Sequence, residues 1–266
     1  MLGRRPMPWH GGWSGTTRRD AGKRRTFAVL AQGGRECETS AMGVSVLDRE
    51  MFTEAAAARL LGVPQATLNY WLEGGTYRGR QYKPVIREQP RGSRASVTWA
   101  EFVEAGLLRE YRRTHRIPMA ELRAFIDQMR QKLGVPYPLA HQRPYASGKD
   151  LLAEAQDVAG LDADLCLVAV VRGQFVLTPA ADSFYKRVTW EGDLAAAWRP
   201  HDDPQSPVFM RPGTRFGLPA VRGVKTEILW EHERAGETVS EIAEEFDLTK
   251  DDVLWALAYE TSARAA

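Results

Sequence analysis

Apolar and polar positions fall into distinct textures along the 266-residue chain. Residues 1–45 keep neither a two-residue nor a 3.6-residue apolar period and are rich in Gly, Arg, Ser and Thr, so a disordered basic extension is expected there. Helical spacing begins just after Phe52. Thr53 is a good N-cap for a helix Glu54 to Leu61, and Gly62 can take the left-handed turn that ends it. Pro64 fits the first turn of a second helix, which runs to Leu72 and stops at Gly74-Gly75. Ala57, Leu61, Val63, Leu68 and Trp71 would lock the two together as a helix-turn-helix. After a loop, Thr76 to Tyr82, the segments Pro84 to Arg87 and Ala95 to Thr98 are predicted to form a two-stranded wing around a turn at 88–94.

Helices are then predicted over Trp99 to His115 and Pro118 to Leu133. The second carries Met119, Leu122, Phe125, Ile126 and Met129 on one face, a stripe that either pairs with a second copy or packs within the chain. A strand hairpin is expected from Leu165 to Val171 and Gln174 to Leu177, with a helix at Asp182 to Val188, a strand at Ala195 to Trp198 and a linker at Arg199 to Pro207. A strand at Val208 to Met210 and a turn at 211–215 lead to helices at Lys225 to Arg234, Thr238 to Phe246 and Thr249 to Tyr259. Thr238 with Glu241 makes a capping box, and Thr249 with Asp252 makes a similar start. The expected fold class is mainly α with small β elements, α+β. Its parts are a basic extension (1–45), a winged helix-turn-helix with a candidate dimerisation helix (46–150), a middle α/β segment and linker (151–204), and a C-terminal three-helix unit (205–266).

Charge changes the picture because it is unevenly placed. Residues 1–41 hold 8 Lys/Arg against 3 Asp/Glu, residues 42–150 hold 17 against 11, and residues 151–266 hold 11 against 20. A basic front suits a polyanion, and the acidic back faces something else. No apolar run approaches the roughly 18 residues that span a bilayer, and two cysteines cannot make a disulfide framework, so a cytoplasmic protein is expected. The five histidines are scattered, no glycine loop sits between a strand and a helix, and Asp202-Asp203 lies in the linker. No active site, metal or cofactor is expected, and the chain does not read as an enzyme.

The second helix of a helix-turn-helix enters the major groove with its first turns against base edges. Here those turns offer Gln65, Thr67 and Asn69, with Tyr70 in reach of a phosphate. Gln and Asn can read adenine, and Thr can touch a thymine methyl. The wing and its approach supply Arg78, Arg80, Lys83, Arg87, Arg91 and Arg94 for phosphate oxygens or an adjacent minor groove.

The run Phe52-Thr-Glu-Ala-Ala-Ala-Ala-Arg-Leu-Leu-Gly-Val-Pro-Gln-Ala-Thr-Leu-Asn-Tyr-Trp71 resembles the opening of MerR-like winged helix-turn-helix domains, departing in Pro64 where a capping Ser is usual. The run from Arg211-Pro-Gly-Thr-Arg-Phe-Gly-Leu-Pro-Ala-Val-Arg-Gly-Val-Lys-Thr226 through Tyr259 is similar to a small uncharacterised C-terminal domain of VapB-type antitoxins, with Val-Lys at 224–225 replacing the usual Thr-Arg. Together the resemblances imply an antitoxin of a type II toxin–antitoxin module. Such a protein binds operator DNA as a homodimer, represses its own operon and neutralises a PIN-domain VapC ribonuclease. Arg211, Arg215 and Arg222 are the candidates for toxin contact. The alternatives are a MerR-like regulator without a toxin partner and an adaptor that binds only protein; the last would leave the basic wing unexplained.

Overall fold

The computed structural model describes residues 45–92, 96–114, 119–161, 166–171, 174–201 and 203–265. The expected basic extension, apart from Ser45, lies outside them.

Helix α1 (Glu54–Leu61) begins as its sequence dictates: Thr53 is extended and its hydroxyl accepts from the Ala56 amide at 3.2 Å. It ends on Gly62 at φ 61°, ψ 40°. Helix α2 (Gln65–Glu73) follows, with Pro64 one position earlier than expected, at the extended N-cap. Its carbonyl takes the Thr67 and Leu68 amides, and its missing N–H costs nothing there either. Ala57, Ala58, Leu61, Leu68, Trp71 and Leu72 are buried between and beneath the two helices. Each large apolar side chain removed from water in this way contributes about 1.5–3 kcal/mol.

The wing is elsewhere than predicted. Strands β2 (Gly75–Tyr77) and β3 (Arg80–Tyr82) form a hairpin closed by Arg78 and Gly79, at φ 50° and 75°. Two consecutive positive φ values make the tight turn that matches strand twist. Gly74 permits the hairpin: a Cβ there would stand 2.3 Å from the Tyr82 carbonyl oxygen. The two predicted wing segments do not pair with each other. Val85 and Ile86 are buried beneath α2, their amides donating to the Trp71 carbonyl at 2.8 and 3.0 Å. Strand β4 (Val97–Thr98) pairs antiparallel with β1 (Glu50–Phe52). Val-Ile is too apolar for an exposed wing, and the partner of β4 lies more than forty residues earlier in the chain.

Helix α3 (Trp99–Thr114) runs through the large core, with Phe102 between Phe52 and Trp198 at ring separations of 4.7 and 5.2 Å. The Trp99 indole donates to the Ala195 carbonyl at 2.6 Å. Helix α4 (Met119–Leu133) resolves the open question about its stripe: Leu122, Phe125, Ile126 and Met129 are buried within the chain, largely against α6 (Lys149–Ala159).

The remaining elements of this core are α5 (Arg143–Ala146), the antiparallel pair β5 (Val168–Val171) and β6 (Gln174–Leu177), α7 (Pro179–Arg187), and the pair β7 (Val188–Glu191) and β8 (Leu194–Trp198). One apolar cluster runs from Leu47 to Met210, so the segment read as a middle region shares its core with the front. A second cluster, around Val208, Val221, Leu229, Ile242, Val253 and Ala256, belongs to the C-terminal unit. That unit comprises the pair β9 (Ala220–Val221) and β10 (Val224–Lys225) and helices α8 (Thr226–Arg234), α9 (Val239–Glu245) and α10 (Lys250–Ala265). The capping box at Thr238 and Glu241 is formed, and Thr249 and Asp252 cap α10 reciprocally. The class is α+β, with five two-stranded antiparallel pairs among the described residues.

Candidate functional site

The first turns of α2 carry Gln65, Thr67 and Asn69, and the structure adds a residue the sequence did not flag. Glu54, buried at the start of α1, accepts from Asn69 Nδ2 at 2.9 Å and from Gln65 Nε2 at 3.4 Å. A carboxylate only accepts, so the Asn69 amide must turn its nitrogen toward Glu54. Its oxygen and one remaining N–H are left for other partners. Glu54 also sits at a helix N-terminus, where the peptide dipoles favour its negative charge. The only signal for this in the sequence is an acidic residue directly after an N-cap, which is ordinary helix chemistry.

Tyr70 is tied to α4. Its hydroxyl accepts from Arg123 Nη2 at 2.7 Å, and that guanidinium lies 5.3 Å from the Tyr70 ring and 5.5 Å from the Tyr82 ring. Arg123 Nε also donates to the Lys83 carbonyl at 2.7 Å, so α4 pins both α2 and the hairpin. Arg78, Arg80 and Lys83 are exposed on or beside that hairpin.

Arg87 is a different case. It is 3% exposed and held between Glu101, at 2.8 Å, and Glu73. Burial alone would lower its pKa, but the two carboxylates hold it above the usual arginine value. Expected on the wing, it lies instead inside the core, because a guanidinium taken from water must keep its carboxylates. Arg91 donates to Glu101 at 2.7 Å and to the Ser96 carbonyl at 3.2 Å, and its backbone amide and that of Gly92 donate to Glu73. Arg94 lies outside the described residues. Glu101 also accepts from the Tyr137 hydroxyl at 3.1 Å and the Thr98 amide at 3.0 Å. One turn along α3, burial pushes the Glu104 carboxyl up to about 8, against the pull of Arg130 and of the Leu139 N–H.

In the C-terminal unit the structure brings Arg211, Arg215 and Arg222 to one loop region. Arg211 stacks over Phe209 at 5.4 Å, Arg215 Nε donates to the Gly223 carbonyl at 2.6 Å, and Arg222 Nε donates to Asp252 at 2.8 Å. Arg211 and Arg222 line a groove of about 360 Å³ with Pro207, Phe209, Thr214 and Ala220. Elsewhere, His232 Nδ1 lies 2.9 Å from Glu237, a hydrogen bond that raises the imidazole pKa, and 3.7 Å from Glu245.

Residues 209–259 match a family described as "Protein of unknown function (DUF433)". The match falls on the run whose resemblance to an uncharacterised antitoxin domain was expected. Two proteins of Mycobacterium tuberculosis align along most of their length. "Uncharacterized protein Rv2308" is 29% identical over 236 residues, covering 84% of this chain and 94% of the relative. "Putative antitoxin VapB45" is 28% identical over 225 residues, covering 79% and 93%. Among solved structures, the crystal structure of Rv2018 from the same organism superposes with a TM-score of 0.64 at 27% identity, over 79% of this chain and 99% of that one.

Proposed function

We propose that the chain is an antitoxin that binds operator DNA through α2 and the Gly75–Tyr82 hairpin, represses its own operon, and neutralises a PIN-domain ribonuclease of the VapC type. The observation that carries this reading is the alignment along 93% of the relative named "Putative antitoxin VapB45". The DNA half is supported by two short helices joined at a left-handed glycine, with exposed Arg78, Arg80 and Lys83 beside the second. With one Asn69 N–H held by Glu54, its oxygen and other N–H form the donor–acceptor pair that suits adenine. The protein acts by binding, as a homodimer on a near-palindromic site, without cofactor or catalysis. No described helix is long and apolar enough to cross a membrane.

The test is co-expression with the product of the reading frame adjacent to its gene. Copurification and relief of the growth arrest caused by that product are expected; failure of both rejects the antitoxin. A second reading, a transcription regulator with no toxin, draws on the candidate DNA surface being built within one chain. Binding to its own promoter without any effect of the neighbour would favour it.

A further inference from the structure

The loop ahead of β9 holds three successive residues in the left-handed region: Arg215 at φ 48°, Phe216 at φ 56° and Gly217 at φ 73°. Two of the three have reasons inside the chain. A Cβ at Gly217 would stand 2.6 Å from the Met51 side chain and 3.0 Å from Phe52, so the loop is pressed onto β1. Arg215 is fixed by its 2.6 Å bond to the Gly223 carbonyl.

Phe216 has no such reason. It is 80% exposed, the most exposed large apolar side chain among the described residues. A bulky residue is disfavoured at positive φ, where Gly or Asn would serve the turn better. An aromatic ring left in water gains nothing from burial either. Backbone strain of this kind is kept where the surroundings or a ligand use it.

The neighbourhood says what kind of ligand. Arg215, the preceding residue, is exposed, and Arg211 and Arg222 line a groove together with Phe209 and Ala220, Arg222 being 66% exposed even while it bonds Asp252. A nucleic acid could also stack on Phe216 and pair with arginines, but the Asp252 carboxylate already lies against Arg222, and the groove beside it is lined by Pro207, Phe209 and Ala220.

We propose that Phe216 anchors a protein-docking surface whose partner offers an apolar socket rimmed by carboxylates that receive Arg211 and Arg215. Aromatic and arginine side chains at the centre of a patch carry most of the energy of protein interfaces. The choice of partner rests on the antitoxin reading; the anchor itself rests on the loop.

The experiment uses the full chain as wild type, Phe216→Asn and Phe216→Leu, with the purified product of the adjacent reading frame as probe. Affinity is measured by calorimetry and the thermal midpoint of each free chain by differential scanning. Phe216→Asn should weaken binding at least tenfold while raising the midpoint of the free chain by about 2 °C, because Asn tolerates the left-handed region. Phe216→Leu keeps an apolar group and should stay within about threefold of wild type in affinity. Equal affinity for all three chains overturns the anchor and leaves the antitoxin reading standing. A wild-type chain that does not bind the probe overturns both. Loss of single-stranded oligonucleotide binding in Phe216→Asn, with probe binding intact, overturns the proposal in favour of nucleic acid.

Discussion

The front and C-terminal parts of the chain spend their arginines differently. In the front, Arg87, Arg91, Arg123 and Arg130 are tied to carboxylates, carbonyls and ring faces of their own chain. In the C-terminal unit, Arg211, Arg215 and Arg222 each keep one internal contact while lying around a groove or on an exposed loop. The basic surplus of residues 42–150 therefore overstates the cationic surface available there, and the acidic back half conceals a basic patch. Net charge by segment is a poor guide to which face meets a polyanion when guanidiniums are also used as internal struts.

The largest expected effect tests that contrast directly. Glu101→Ala leaves Arg87 buried without its main carboxylate and should cost about 3–5 kcal/mol, lowering the thermal midpoint by about 10 °C. Asp252→Ala removes a helix cap and the partner of a largely exposed Arg222, and should cost only about 1 kcal/mol. Similar losses for the two variants in parallel scans would erase the distinction.

A smaller effect comes from Glu104. Between the ordinary carboxylate range and about 8 the folded chain keeps a proton that the unfolded chain has released, so stability falls as pH rises through that window and levels off above it. Glu104→Gln should flatten this slope, raising the midpoint by about 5 °C at alkaline pH and changing it little in mild acid. An unchanged pH profile would show that Glu104 is solvated in the folded chain.

On the DNA side, Arg80→Ala with Lys83→Ala should weaken duplex binding about tenfold and reduce the salt slope by about 2. Arg211→Glu should leave both unchanged if the two basic regions serve separate partners, and gel-shift titrations at several salt concentrations would read this. The smallest effect concerns selectivity. Glu54→Gln frees the Asn69 amide to turn over, so selection from a randomised duplex pool should show a weaker adenine preference, with total affinity within about threefold of wild type.

Local signals were legible where capping chemistry is local. Thr53 with Gly62, Thr238 with Glu241 and Thr249 with Asp252 each mark a helix start or stop within a few residues, and those helices lie close to where the sequence places them. Helix α10 alone outran its expected end, continuing from Tyr259 to Ala265. The wing was not legible, because Val85–Ile86 has the pattern of a strand while its amides are taken by a carbonyl of α2. Helix α6 escaped notice between a Pro-rich approach and the hairpin, although Gly160 ends it as a C-cap should. Of the candidate site, residue types were readable and their commitments were not. Nothing in the spacing of Arg87 distinguishes an internal strut from a phosphate contact, and nothing around Asn69 announces the carboxylate that orients it.

The contact between Phe102 and Trp198 sets how the protein can be dissected. Gly106 admits the indole so closely that a Cβ there would lie 3.2 Å from it, and the Trp99 indole finds its acceptor on β8. A fragment cut after residue 150 to isolate the helix-turn-helix would lose Trp198 and Ala195 together. It would bare the apolar flank of α3 and strand the Trp99 N–H. The smallest separable piece that keeps the front folded therefore reaches to about Met210, so the first two helices and the middle strands can only be cut out as one part.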